Sequence, residues 1–277
     1  MDEELPALGG RVTLPPATIE EFRTKGHTVV RSLCTPDEVA AWRVVLEEAT
    51  RRGAWDTRPL AERDTYGRAF LQAANLWRLD PRIETFTCSE RLAAVAADLL
   101  GVEHVRLYHD QGLLKEVGGG RTPWHQDQQY WPLEHERPVH TLTMWMPLVD
   151  VDSGSGSLRF ASGSHLHGDL AGELAGPISD ESDATFESLL THGGFPVESH
   201  DPLRAGDATF HAGWTLHSAG ENASAADRPV ATVIWFADGC RVTAAPTRHQ
   251  RFDLAVWLDG ADPGGPAAGP SNPRLPR

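Results

Sequence analysis

The chain has few cysteines, a shortage of positive charge and no long apolar run. Its three cysteines share no CxxC or CxxH spacing, which fits a reducing compartment better than a disulfide framework. The 277 residues contain 25 Lys and Arg against 39 Asp and Glu, a net charge of −14. That sign is wrong for neutralising phosphates, so neither nucleic acid nor an anionic membrane is expected as a partner.

Targeting signals are missing as well. No stretch approaches the ~18 apolar residues that a membrane span needs, and the acidic start Met1-Asp-Glu-Glu-Leu5 lacks the basic and apolar regions of a secretion signal. A cytoplasmic protein is therefore expected. The length suits a single domain over residues 1–258. The segment 259–277 is crowded with Pro and Gly and is expected to be a disordered tail.

Two kinds of periodicity divide the domain. Residues 17–101 read as helical, with capping-box spacings at Thr18 and Thr35 and a helix from Ser89 to Gly101. From about 102 to 240 the apolar period shifts toward two, in short runs separated by Gly, Pro and Asp-rich turns, which is typical of a β-barrel or sandwich. The mixed, acidic segment 170–200 reads as an insertion between strands, where substrate contacts are expected.

The strongest chemical signal is His125-Gln126-Asp127. A strand sends residues i and i+2 to the same face, so the imidazole and the carboxylate point to one place. Two histidines and a carboxylate on one face of iron(II) leave the other positions open for a co-substrate and O₂. The same parity, if the strand continues, makes Gln129 a substrate-contact candidate. His-x-Asp alone is a weak pattern in a chain with 13 histidines.

A second segment makes the pattern specific. A Gly206-Asp207 turn leads to His217, Asn222 follows, and Arg228 stands eleven residues beyond His217. Together with the His-x-Asp pair, this arrangement resembles the phytanoyl-CoA dioxygenase family. Further matches to the family are Gln111, Lys115, Trp145-Met-Pro-Leu148 and Ser155-Gly-Ser-Leu-Arg-Phe160. The resemblance spans roughly residues 17–238.

The resemblance implies a fold and a set of roles. The fold is mainly β with flanking helices around a double-stranded β-helix, a jelly-roll or cupin-like core. The implied iron ligands are His125, Asp127 and His217. Arg228 would pair with the distal carboxylate of 2-oxoglutarate, a task that suits its planar, bidentate guanidinium. The residues implied to line the co-substrate are Gln111, Trp145 and Ser218.

Several positions keep two interpretations. His211 rivals His217 as third ligand, but the spacing to Arg228 and the Asn222 match favour His217, which leaves His211 as a pocket residue or a structural histidine. Gln72 and Asn75 are polar residues in an apolar stretch and could reach the pocket from the helical region. Lys115 either contacts a carboxylate or is an exposed strand lysine.

The expected activity is that of an Fe(II)- and 2-oxoglutarate-dependent dioxygenase. It would use O₂ to hydroxylate a C–H bond of a small organic molecule, with release of succinate and CO₂. The resemblance implies that halogenases of this kind carry a small residue where Asp127 stands, which argues against halogenation. The alternatives are desaturation, cyclisation or epimerisation at the same iron, or a catalytically silent cupin-like binding protein.

The substrate is expected to be a small molecule other than a CoA ester. No clear Lys/Arg cluster is present to bind CoA phosphates beyond the pair Arg51-Arg52. Richness in Ala, Gly, Pro and Arg is typical of a GC-rich bacterial genome, in which such oxygenases often tailor secondary metabolites. The sequence does not predict an oligomeric state.

Overall fold

The structure is a computed structural model that describes residues 5–172 and 176–276. The helices of this part of the chain are Pro16–Lys25 (α1), Pro36–Gly53 (α2), Thr65–Ala69 (α3), Leu76–Leu79 (α4), Pro81–Thr87 (α5), Glu90–Leu100 (α6), Asp180–Gly193 (α7) and Arg248–Trp257 (α8). The strands are His27–Val30 (β1), Leu71–Ala74 (β2), Val105–Lys115 (β3), Thr122–His125 (β4), Leu133–Glu134 (β5), Thr141–Pro147 (β6), Leu158–Ala161 (β7), Val197–Ser199 (β8), Ala208–Ala212 (β9), His217–Ala219 (β10), Arg228–Ala237 (β11), Arg241–Val242 (β12) and Arg274–Leu275 (β13).

Two antiparallel sheets form the core. The larger has the order β1-β9-β6-β11-β3-β13, with β2 also paired to β3, and the smaller has the order β4-β10-β7-β8. A cavity lies between them, because residues of β3, β6 and β11 from one sheet and of β4 and β10 from the other line the same space. The expected jelly-roll core with flanking helices is confirmed.

The helical first third packs on the outer face of the large sheet. Trp42 of α2 and Leu92 of α6 share one hydrophobic core with Met144 of β6 and Trp235 of β11, and all four are buried. The large sheet is therefore covered on that face, and its other face is left for the cavity.

Capping explains where these helices begin. The Thr35 hydroxyl accepts from the backbone N–H of Glu38, whose carboxylate accepts from the N–H of Thr35, so this predicted capping box is confirmed. The predicted start at Thr18 is wrong, because α1 begins at Pro16. A proline at the first helical position has no N–H to satisfy and a backbone angle already suited to a helix.

The tail is ordered through residue 276, and the predicted disorder is wrong. Strand β13 pairs with β3, Leu275 is buried, and the fully buried Asn272 donates to the carbonyl oxygens of Leu107 and Trp257 at 3.0 and 2.9 Å. Composition suggested disorder because the segment cannot build a core of its own. It instead adds to the edge of an existing sheet. The single-domain organisation of residues 1–258 stays a prediction.

No helix in residues 5–172 or 176–276 combines the length and apolar character needed to cross a bilayer.

Candidate metal and co-substrate site

Strand pairing brings the two predicted histidine ligands together. His217 on β10 is the cross-strand partner of His125 on β4, and their ring centroids lie 4.2 Å apart. Asp127 follows β4 in a short 3₁₀ turn. Its Oδ1 lies 3.5 Å from Nε2 of His125 and 3.8 Å from Nε2 of His217. One ligand atom from each residue thus falls within 4.8 Å of the others.

Backbone carbonyls fix the orientation of both rings. Nδ1 of His125 lies 2.8 Å from the carbonyl oxygen of Pro123, and Nδ1 of His217 lies 2.9 Å from that of Thr215. A carbonyl oxygen can only accept, so each Nδ1 carries the proton and donates. Each Nε2 is left with its lone pair directed at Asp127, which is the arrangement that metal-binding histidines require.

The protonation states also suit a cation. Burial lowers the pKa of His217 well below its ordinary value, and the neighbouring His125 and His211 add to the effect. Burial alone would raise the pKa of Asp127, but the histidine rings around it hold that pKa well below its usual range. A neutral imidazole and an ionised carboxylate are the forms that bind a metal ion. The three side chains therefore fit iron(II) as a set.

His211, the rival third ligand, contacts the other side of the carboxylate. Its Nε2 lies 3.3 Å from Oδ2 of Asp127, and the Thr143 hydroxyl donates to the same oxygen at 3.0 Å. These two groups hold Oδ2, while Oδ1 faces the two predicted ligands. The cluster that could hold a metal ion is His125, Asp127 and His217. His211 lines the cavity and orients the carboxylate.

Arg228 is a buried cation without an anion. The residue is 2% exposed, its guanidinium carbon lies 5.0 Å from the centroid of the Trp145 ring, and its Nε and Nη1 have no hydrogen-bond partner within the described chain. Burial lowers its pKa to about 9. An unpaired buried charge is strongly unfavourable. This end of the cavity is therefore built for an anionic ligand.

The cavity has a volume of about 430 Å³, within the range of roughly 300–1,000 Å³ typical of small-molecule sites. The predicted site residues that line it are Gln72, Gln111, His125, Asp127, Trp145, His211, His217 and Arg228. The Gln72 amide donates to Oε1 of Gln111 at 2.8 Å. The two glutamines therefore form one polar strip across β2 and β3.

Three predicted residues lie away from the cavity. The Ser218 hydroxyl accepts from Arg159, because strand alternation turns Ser218 away from the face that carries His217. Gln129 donates to Asp169 at 2.9 Å, because β4 ends at His125 and the parity argument fails in the turn beyond it. Asn75 accepts from the indole N–H of Trp77 at the start of α4.

Lys115 is not an exposed strand lysine. The residue is fully buried, and its ammonium donates to the carbonyl oxygen of Gly120 at 2.5 Å. Burial, followed by the charge of Arg228, lowers its pKa to about 7. Asn222, predicted only as a family match, donates from its buried amide to the Lys115 carbonyl oxygen at 3.1 Å and to that of Ala226 at 2.8 Å. It fixes the backbone that leads into β11.

Sequence reasoning missed other cavity residues. His109 shares strand parity with Gln111, so alternation along β3 could have identified it. Asp253 and Trp257 reach the cavity from α8, for which the sequence analysis made no prediction. From the 170–200 segment, where substrate contacts were expected, Pro177 and Ile178 line the cavity.

Comparison with known proteins decides the family. A sequence profile described as Phytanoyl-CoA dioxygenase (PhyH) matches residues 22–230. The chain belongs to the phytanoyl-CoA dioxygenase family. Members of this family use iron(II), 2-oxoglutarate and O₂, which confirms the predicted cofactors. The ectoine dioxygenase of Stutzerimonas stutzeri (strain A1501) is 25% identical over 154 residues, 54% of this chain. The match spans half the length of that relative.

This family member is also similar to proteins of known structure. The epimerase SnoN from nogalamycin biosynthesis, in complex with Fe³⁺, α-ketoglutarate and nogalamycin RO, is 26% identical over 94% of this chain and 97% of its own, with a TM-score of 0.73. The α-ketoglutarate-dependent carbocyclase SnoK is 24% identical over 96% and 100%, with a TM-score of 0.74. EctD from S. alaskensis, with 2-oxoglutarate and 5-hydroxyectoine, is 18% identical over 86% and 82%, with a TM-score of 0.63.

Proposed function

We propose that this chain couples the oxidative decarboxylation of 2-oxoglutarate to the O₂-dependent hydroxylation of a C–H bond in a small organic molecule, with release of succinate. The observation that carries the proposal is the unpaired Arg228 guanidinium in the same cavity as the histidine and carboxylate cluster. A 2-oxoglutarate molecule has an anionic group for each of these two places.

Each residue has one task in this scheme. His125, His217 and Oδ1 of Asp127 would hold iron(II), which supplies O₂ activation when bound. The Arg228 guanidinium, whose Nε and Nη1 have no partner in the described chain, would donate to the distal carboxylate, and the Trp145 ring lies against the guanidinium. Thr143 and His211 hold the Asp127 carboxylate in its orientation.

The silent binding protein is the weaker alternative. A buried guanidinium without an anionic partner makes the folded protein less stable. A protein that binds its ligand without catalysing a reaction would have no need to keep one. This chain keeps Arg228 in that state and also keeps all three ligand residues.

Epimerisation or ring formation at the same site is the second candidate. It is favoured by the similarity to SnoN, an epimerase, and to SnoK, a carbocyclase. That similarity also supports a secondary metabolite as the substrate class. Oxygen isotopes separate these outcomes: a hydroxylated product contains ¹⁸O from ¹⁸O₂, whereas an epimerised or cyclised product contains none.

The first test is binding of iron and co-substrate without O₂. Fe(II) and 2-oxoglutarate added anaerobically to the full-length protein should produce the weak visible metal-to-ligand charge-transfer band. His217→Ala should abolish the band, and Arg228→Ala should require far more 2-oxoglutarate to produce it. His192→Ala, at an exposed position of α7, is the matched control and should behave as wild type. A wild-type protein without a band at any iron loading would contradict the proposal.

A further inference from the structure

The Asp253 carboxylate faces the cavity far from Arg228. The Tyr108 hydroxyl of β3 donates to Oδ2 of Asp253 on α8 at 2.9 Å, and the His109 ring packs on Trp257 with centroids 4.5 Å apart. Along β3, Lys115 pairs with Arg228, whereas His109 pairs with Ile234. His109 and Lys115 are six positions apart, and a strand rises about 3.3 Å per residue, so His109 lies roughly 20 Å along β3 from the partner of Arg228. The cavity thus has two distinct ends.

Asp253 has no ion-pair partner among the described residues. None of the ion pairs within residues 5–172 and 176–276 includes it, and Arg228, at the other end, is the one Lys or Arg side chain of this described chain that lines the cavity. Burial raises the pKa of Asp253 to about 7, and its bond to Tyr108 opposes that rise only in part. His249, four positions earlier on α8, also lines the cavity but forms no ion pair with Asp253, so the position beside this carboxylate is open to a positive charge from a ligand.

The surroundings of Asp253 suit a cation on an apolar frame. Trp131, Trp257 and Tyr130 line this part of the cavity, and aromatic faces attract cations. Burial lowers the pKa of His109 to about 4, so its ring is neutral at pH 7 and does not repel a positive charge. Phe252, 62% exposed, stands on the cavity wall one position before Asp253 and offers contact for the apolar part of a ligand.

We propose that the Asp253 end of the cavity binds a protonated amine carried by an aromatic or similarly apolar substrate. The Asp253 carboxylate accepts from the ammonium group, and Tyr108 is a positioning residue that holds the carboxylate toward the cavity. The proposal rests on the proposed function for the other end of the cavity and names the substrate class. The proposed site favours amines over carboxylates and CoA esters, because the latter two would bring negative charge to Asp253.

Three ligands with one ring system test the charge directly. Tryptamine is a cation, 3-ethylindole is neutral and indole-3-propionate is an anion at pH 7. Their affinities for the full-length protein are measured by isothermal titration calorimetry, once with Fe(II) and 2-oxoglutarate under anaerobic conditions and once with neither added. In both conditions we expect tryptamine to bind about tenfold more tightly than 3-ethylindole. With Fe(II) and 2-oxoglutarate present, indole-3-propionate should bind most weakly, because 2-oxoglutarate then occupies Arg228.

Asp253→Asn keeps the shape and removes the charge. It should reduce tryptamine affinity to that of 3-ethylindole and leave 3-ethylindole unchanged. Asp262→Asn is the matched control, since it removes an exposed carboxylate of the same C-terminal region that does not line the cavity. Full tryptamine preference should remain in that control.

Two results would overturn the inference: equal binding of tryptamine and 3-ethylindole by wild type, or an unchanged preference in Asp253→Asn. The charge-transfer band with Fe(II) and 2-oxoglutarate, measured on the same samples, reports on the other end of the cavity. A preference for tryptamine without any charge-transfer band would contradict the proposed function and still support the amine site. Should Asp253→Asn not fold, the wild-type comparison decides alone.

Discussion

Lys115 and Arg228 are direct cross-strand partners on β3 and β11, and both are buried. Two cations on neighbouring positions repel each other, and the charge of Arg228 contributes to the lowered pKa of Lys115. A carboxylate bound here would offset the repulsion between the two cations and give Arg228 an anionic partner. Arg228 lines the cavity, and this is the end at which we propose that 2-oxoglutarate binds.

Arg228→Lys should weaken the binding of 2-oxoglutarate without affecting the binding of iron. A lysine keeps the charge but replaces the planar fork by a single donor group, so the bidentate contact is lost. The 2-oxoglutarate concentration at half-maximal charge-transfer absorbance should rise about tenfold or more. Arg43→Lys, at an exposed position of α2, is the control and should leave this concentration unchanged. An unaltered 2-oxoglutarate requirement in Arg228→Lys would show that Arg228 does not bind the co-substrate.

Lys115 should make stability depend on pH in the alkaline range. Burial lowers its folded-state pKa to about 7 from an ordinary value of 10.5. Between these values the unfolded chain binds more protons than the folded one, so stability should rise with pH in that window. Relative to Lys115→Met, the wild-type free energy of unfolding in urea should increase from pH 7 to pH 9.5.

The other lysine provides the control for this measurement. The chain has only two lysines, Lys25 and Lys115. Hydrogen bonding to Glu198 raises the pKa of Lys25 above its ordinary value of 10.5, so Lys25 stays largely protonated in both states from pH 7 to pH 9.5. Lys25→Met should therefore follow the pH profile of wild type. A Lys115→Met profile parallel to that of wild type would mean that Lys115 titrates normally in the folded protein.

Asn272→Ala should destabilise the protein and loosen α8. The substitution removes both bonds that tie the tail to Leu107 of β3 and to Trp257 of α8. Leaving buried carbonyl groups unpaired costs about 1–3 kcal/mol, which urea denaturation would detect. Hydrogen exchange should increase in residues 248–257 more than in β6, which accepts neither of these two hydrogen bonds. Wild-type protection of α8 in the variant would show that the tail does not hold the helix.

Local sequence patterns predicted much of the site. His125 and Asp127 were paired by strand alternation, which selected the right two residues although Asp127 lies in the turn after β4, and His217 was paired with Arg228 by spacing and family resemblance. The capping box at Thr35 and the helix from Ser89 to Gly101 were also predicted, because caps depend on neighbouring residues only. Such features can be read from a sequence because the groups that interact lie within a few positions of each other.

The wrong predictions have a common cause. A rule that holds for neighbouring residues was applied past the end of a strand, or to a residue whose environment depends on distant parts of the chain. Gln129 was assigned by strand parity, but the strand ends at His125. The tail was judged by its composition, although its stability comes from the edge of β3. Lys115 was given an exposed alternative because a lone strand lysine is usually exposed, and only the packed structure buries it beside Arg228.

The sequence by itself determined the candidate donor set, the acidic character of the chain and the family, since these depend on residue types and spacing. Only the tertiary structure decided that His211 and Thr143 contact Oδ2 of Asp127, that Arg228 has no anionic partner in the described part of the chain, and that α8 brings Asp253 to the cavity. Each of these facts depends on residues far apart in the chain. Their meeting is set by how the two sheets and the C-terminal helix pack, which no local pattern encodes.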